Sequence, residues 1–294
     1  MTSLYYLSQM RTFAHIVNPV VVSPESDLFV AQPIVFNSMR VAKEFAAEKV
    51  SVSLYSTQYP EDRPMIPSYF KQTPDLERSV LDVGSFRIKR KLPLVADIIN
   101  RLYEASDAQY FIYTNADIIL LPQFYAVVDA LIEKKKCDAM SIIKRIVPFP
   151  YTDVSDLSLI YANAGIPHIG HDCLVFPRSI CPNFDLGFVC NGAPLQGAAL
   201  IVPMMAYACK YMAFYNLHIT CHIEDSMIWK QEGFNDYRQH NLVEYRKIWA
   251  RYSDRVMGNV HYGLYDRFKR ITYGRPTRLQ KVEFWLKKMI CKFF

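Results

Sequence analysis

Apolar and polar positions along the first half of the chain switch between two periods. Residues 13–22 (FAHIVNPVVV) are β-branched and aromatic with an Asn-Pro break, which predicts a strand ending near Val17 and a loop after it. Pro33 then opens a set at helical spacing (Val35, Met39, Ala42, Phe45, Ala46), with proline at a first-turn position and a stop near Lys49. Val50, Val52 and Leu54 alternate with Ser51, Ser53 and Tyr55, a period-2 strand. Residues 58–87 are rich in proline and charge and predict an irregular insertion. Pro93 starts a second helix through Leu94, Ile98, Leu102 and Tyr103, ending around Ala105. Residues 110–113 form a short apolar strand, Pro122 starts a third helix to Lys135, and residues 139–147 make another strand. This alternation predicts an α/β fold with a mainly parallel central sheet flanked by helices. Beyond Pro148 the pattern becomes mixed: short strands at 173–176 and 215–223 flank an apolar helix, and 237–278 is less regular.

Composition narrows the class. At 294 residues and 51% hydrophobic, the chain can bury a sizeable core and is neither disordered nor collagen-like. The longest uncharged apolar stretch, 197–209, is broken by Pro203 and falls short of the roughly 18 to 20 residues that cross a membrane. The first residues, MTSLYYLSQMRT, lack the basic start and apolar run of a secretory signal, so the chain is read as cytoplasmic. Seven cysteines with no CxxC pair argue against a disulfide framework or zinc ribbon and for small buried apolar residues. A net charge of +6 on a chain of this length is a mild bias toward anionic small molecules, with no nucleic-acid signature.

The residues with chemistry cluster at predicted element ends. In an open sheet, ligands bind beyond the carboxyl ends of strands. Asn115 and Asp117 fall there, and a carboxylate with an amide oxygen can hold a hard divalent cation against a diphosphate. Taken alone, Asn-Ala-Asp reads as well as an Asx turn before the next helix. In residues 189–200 (VCNGAPLQGAAL), Gly192 and Gly197 bracket a proline, a loop whose backbone can approach a ligand and then enter a helix. In HIEDSMIW (222–229), Glu224 and Asp225 follow an apolar strand, where a carboxylate can act as general base. His261, in GNVHYG, is a lone histidine available as a nitrogen ligand. Asp172, in GHDC, is a rival acid that could bind acceptor hydroxyls with His171; a strand-initiating turn accounts for it equally.

The order of these motifs resembles that of the GT-A glycosyltransferases, which use nucleotide-sugar donors, over roughly residues 11–262. In that family an Asp-x-Asp at the end of a central strand holds the metal and donor diphosphate. Asn115-Ala116-Asp117 looks like this motif with its first Asp replaced, which makes Asp117 the principal ligand. The Gly192–Ala193 region is similar to the family's acceptor loop, and Ile223-Glu224-Asp225 to its x-Glu-Asp motif. His261 would be its C-terminal metal histidine. The stretches SDLFVAQPIVFNSMR and PHIGHDCLVFPR are also similar to glycosyltransferase-like proteins. The resemblance implies a GT-A fold in residues 1–262, with a nucleotide-sugar half (1–148) and an acceptor half (149–262), and an extension at 263–294. It implies a Mn2+ or Mg2+ cofactor and a glycan or lipid-linked acceptor. The nucleotide base is expected against Val17, Asn18 and Pro19, although a turn before Pro19 explains Asn18 as well. With Asp225 as base, transfer inverts the anomeric centre.

Three other readings stay open. His168, His171, His218 and His222 could form the zinc site of a hydrolase, but the local sequence HITCH is not HExxH. Four-residue spacing on a strand would also hold the last two rings about 13 Å apart. A non-catalytic nucleotide- or sugar-binding protein of the same fold is supported by Asn115 in place of an acid. A sugar nucleotidyltransferase would need a glycine-rich, basic phosphate loop after the first strand, which is missing. Residues 279–294 (LQKVEFWLKKMICKFF), plotted as a helix, gather Val282, Trp285, Leu286, Met289 and Phe293 on one side with lysines elsewhere. Such a helix can lie on the inner face of an anionic membrane, pack on its own domain, or form a homodimer contact.

Overall fold

The structure, a computed structural model, describes residues 10–148, 151–223 and 233–258. These belong to one compact unit, Met1–Asn259; the second unit, Val260–Phe294, lies outside the described residues and includes His261 and the 279–294 segment. Glu224 and Asp225 also lie outside them.

The strands are β1 (Arg11–Val17), β2 (Val50–Ser56), β3 (Lys71–Gln72), β4 (Tyr110–Thr114), β5 (Ile119–Leu120), β6 (Ala139–Val147), β7 (Ile166–Pro177), β8 (Tyr211–Phe214) and β9 (Thr220–Ile223). The helices are α1 (Asp27–Phe45), α2 (Val95–Ala105), α3 (Phe124–Lys135), α4 (Leu157–Ala162), α5 (Gln196–Tyr207) and α6 (Phe234–Gly258). The described strands form one sheet in the order β3-β2-β1-β4-β7-β6-β9-β5, with β8 also on β6. The first four strands in that order are parallel, whereas β7 runs antiparallel to both β4 and β6. The expected architecture, a mainly parallel sheet with a mixed second half, is thus observed. β1 and β4 are covered on both faces, so they read as continuous apolar runs rather than alternating ones.

Several elements depart from expectation. α1 starts six residues before Pro33, because Ser26 caps it by accepting from the Leu28 amide and Asp27 follows at its positive end. Pro33 therefore sits inside the helix. The strand expected at 173–176 is part of the twelve-residue β7, and of the one expected at 215–223 only 220–223 is strand, as β9, with β8 ending just before that span. The largest difference is α6, a 25-residue helix where 237–278 was expected to be irregular. Its buried residues are Phe234, Tyr237, Asn241, Glu244, Tyr245, Ile248, Trp249, Tyr252 and Val256, a stripe spaced for one helix face. Asn and Glu inside that stripe, and tyrosines that keep a polar end, lower its hydropathy and hide the period.

Those polar members of α6 have partners that bear on the site. Asn241 Oδ1 accepts from the Cys190 amide at 2.9 Å, and its Nδ2 donates to the carbonyls of Cys190 and Pro194, each at 3.0 Å. Glu244 Oε2 accepts from the Phe188 amide at 3.0 Å. α6 thereby fixes both strands of the loop that carries Gly192. Of the cysteines, Cys137, Cys173, Cys181, Cys190 and Cys221 are buried free thiols, as expected of small core residues, and Cys209 is an exposed one. Among the described residues, no helix is long and apolar enough to cross a membrane.

Candidate active site

β4 lies between β1 and β7 and ends at Thr114, so the chain leaves the sheet through Asn115-Ala116-Asp117 at its carboxyl edge. The tripeptide turns, with the Ile118 amide on the Asn115 carbonyl at 3.3 Å, and Ala116 is buried beneath it. Asp117 Oδ2 meets Nε2 of His222, from β9, at 3.0 Å. Oδ1 of the same carboxylate is buried with no hydrogen-bond partner among the described residues, and so is His222 Nδ1. Burial alone would raise the pKa of Asp117, but the charge and hydrogen bond of His222 and the charge of Lys144 outweigh it, and the pKa falls to about 2. The carboxylate is therefore ionised throughout the neutral range.

Asn115 is placed differently. Its Oδ1 accepts from Gln196 Nε2 at 2.8 Å and from the Tyr113 hydroxyl at 3.3 Å. The one hydrogen of the Tyr113 hydroxyl is divided between Asn115 and Asn191 Oδ1, the latter nearer at 2.9 Å, and Asn191 Nδ2 donates to Asn18 Oδ1 at 3.3 Å. Asn18 in turn donates from Nδ2 to the Thr57 carbonyl at 2.8 Å. A chain of neutral amides thus joins the loop after β1, where Val17, Asn18 and Pro19 were expected to meet a base, to the tripeptide and to the start of α5. Asn18 serves as a bridge in it.

The loop into α5 is built by backbone geometry. Gly192 has φ +77°, and its amide donates to Gln196 Oε1 at 2.7 Å. Leu195 caps α5 at φ +78°, a conformation that costs a non-glycine residue about 1 kcal/mol or more, and such strain concentrates at functional sites. It sets Gln196 against both Gly192 and Asn115. Gly197 lets the helix approach β7, since a Cβ there would lie 2.5 Å from the His171 carbonyl oxygen. Ala193 is buried next to Gly192.

Asp172 faces the tripeptide side of the cluster: its Oδ2 is 3.4 Å from the ammonium of Lys144, and the charges of Asp172 and Asp117 both reinforce burial in raising the Tyr113 phenol. His171 points elsewhere, with Nδ1 on Ser141 Oγ at 2.8 Å, and Ser141 is shared with the Tyr211 hydroxyl at 2.5 Å. The four histidines of the zinc reading do not converge. His222 sits on Asp117, His171 on Ser141, and His168 accepts the Gly170 amide, while His218 precedes β9. Among the described residues no three His, Cys, Asp or Glu side chains are grouped to hold a metal.

Lys144, His222, Gln196 and Asn191 are the site residues the sequence reading left without a role in sugar transfer. Lys144 carried a signal, a charge inside the apolar run SIIKRIV. The amides carried none, because their pairing needs the loop geometry.

No protein-family model and no curated protein matches the chain. In structure it is similar to S. aureus TarS 1-349 in complex with UDP-GlcNAc, with TM-score 0.48, 11% identity, and 84% and 73% of the two chains covered. It is similar to the mannosyltransferase PcManGT from Pyrobaculum calidifontis in complex with GDP-Man and Mn2+, with TM-score 0.46, 13% identity and 83% and 65% covered. It is also similar to glucosyl-3-phosphoglycerate synthase from Mycobacterium tuberculosis, solved with Mn2+, UDP-glucose and phosphoglyceric acid, with TM-score 0.44, 12% identity and 86% and 82% covered.

Proposed function

We propose that the protein transfers a sugar from a nucleoside-diphosphate sugar to an acceptor hydroxyl. One observation carries this reading: at the carboxyl edge of a middle strand, Asp117 presents an ionised carboxylate with one buried oxygen left unpartnered. Such an oxygen suits a hard divalent ion. Asp117 would hold Mn2+ or Mg2+ together with donor oxygens and water, and the ion, when bound, offsets the charge of the departing diphosphate. The Asn115 oxygen, shared by Gln196 and Tyr113, supports a positioning role there more than a ligand role.

The other roles are those that the resemblance to the GT-A glycosyltransferases implies. The loop after β1, with Val17, Asn18 and Pro19, would meet the nucleotide. Gly192, Ala193 and Asp172 would meet the acceptor, a glycan or lipid-linked sugar. Asp225, two residues past the end of β9, would take the proton of the acceptor hydroxyl as its oxygen attacks the anomeric carbon and the bond to the diphosphate breaks, with Glu224 beside it in sequence. One displacement inverts the anomeric centre. Residues 279–294, plotted as a helix, would seat the enzyme on an anionic membrane face. In a screen of UDP- and GDP-sugars with Mn2+, the reading predicts nucleoside diphosphate release that Asp225→Asn stops without loss of donor binding, and an inverted product by NMR. A retained configuration or full activity in Asp225→Asn would remove Asp225 as the base. Donor binding without turnover over a broad acceptor panel would favour the non-catalytic reading.

A further inference from the structure

Among the described residues, Lys144 is a charged group at the site whose presence the transferase reading does not require. It lies within β6, between Ile143 and Arg145, and is buried, with 11% of its side chain exposed. Two features of the neighbouring strands tie it to the site. β7 has an extra residue opposite: Ile142 pairs with Cys173 and Ile143 with His171, so Asp172 has no register partner. A bulge of this kind re-aims a side chain, and here Asp172 Oδ2 comes to 3.4 Å from the ammonium. Gly170 leaves the room, because a Cβ there would stand 2.7 Å from the same oxygen. On the other side β9 runs parallel to β6 with His222 opposite Ile146, which places His222 on the face that Lys144 shares, one pair along. His222 holds Asp117.

Burying an ammonium costs several kcal/mol even when it is paired, and an apolar pair at this place would serve stability as well. The charge is kept where the site is otherwise short of it. Asn115 is neutral with its oxygen already shared, so within the Asn-Ala-Asp tripeptide only the Asp117 carboxylate is left to hold an ion. An ammonium has three donor hydrogens and can keep Asp172 while engaging a phosphate oxygen. We infer that Lys144 is a ligand of the donor diphosphate, giving nucleoside diphosphates an affinity that does not depend on a divalent ion. The inference rests on the transferase reading.

Isothermal titration of UDP and GDP into wild type, Lys144→Met and Lys144→Arg, each in EDTA and in Mn2+, with uridine and guanosine as controls, tests it. In EDTA at least one diphosphate binds wild type more tightly than its nucleoside. Lys144→Met loses about tenfold or more of that affinity, equal to about 1.4 kcal/mol, while Lys144→Arg retains most of it and the nucleosides bind all three proteins alike. The wild-type arm needs no variant: diphosphate binding that vanishes in EDTA overturns the role of Lys144 even if Lys144→Met fails to fold. So does equal EDTA affinity for Lys144→Met and wild type, or a parallel loss of nucleoside binding. These results leave the transferase reading standing. Absence of diphosphate binding in every condition removes both.

Discussion

Thr114 and Asn115 are neighbours at the end of β4, yet they belong to two polar groups of opposite character. Thr114 joins His15 and Tyr125 in a sealed group. His15, fully buried on β1, places Nε2 at 2.9 Å from Thr114 Oγ1 and Nδ1 at 2.9 Å from the Tyr125 hydroxyl, so both ring nitrogens are used. One residue further on, the group around Asp117 is partly open and incomplete, with an unpartnered oxygen on Asp117 and an unpartnered nitrogen on His222. A satisfied buried network makes one core arrangement preferable to others. An unsatisfied one persists when the fold forces it and a ligand completes it. The contrast separates what holds β4 in place from what β4 presents.

The sealed group should dominate stability. His15→Leu leaves the Thr114 and Tyr125 hydroxyls buried without a partner, and about 4 kcal/mol should be lost. Urea unfolding measures this, and a loss under about 1 kcal/mol would place the group outside the stabilising core. The same histidine sets an acid limit. Burial lowers its pKa from 6.5 to about 3, so between those values the unfolded chain binds a proton that the folded chain does not. Stability from this source is complete above pH 6.5 and falls by up to about 1.4 kcal/mol for each pH unit below it. His15→Gln should show a shallower stability decline between pH 6.5 and pH 4 than wild type; identical slopes would mean that the ring charges freely in the folded state.

Smaller effects are expected at the open group's edge. Gln196→Ala removes a donor to Asn115 and an acceptor of the Gly192 amide, each about 1 kcal/mol in net worth. It should raise the donor KM about fivefold and lower stability by up to about 2 kcal/mol in urea unfolding. A variant with wild-type KM would disconnect the amide chain from the donor.

The same contrast marks what the chain's pattern conveys. Parallel strands and their helices were legible because β1, β2, β4 and β6 are bounded by polar breaks and turn residues. The place of Asp117 just past the carboxyl end of β4 was legible from the apolar run before it, although the tripeptide itself read equally as an Asx turn. α6 was hidden by its own function in the fold: Asn241 and Glu244 are buried to hold the Gly192 loop, and a buried polar residue looks exposed in sequence. Lys144 and Asp172 were hard to join because a bulge, which sequence alternation does not display, brings them together.

The central claim is that Asp117 completes a donor-diphosphate site, and thermal unfolding with UDP and GDP, each with and without Mn2+, tests it most directly. At 100 times its dissociation constant one of these ligands should add about 2.7 kcal/mol to wild type, with a part that Mn2+ enhances and Asp117→Asn abolishes. A manganese-dependent shift of equal size in wild type and Asp117→Asn, or no shift with either nucleotide, would contradict it.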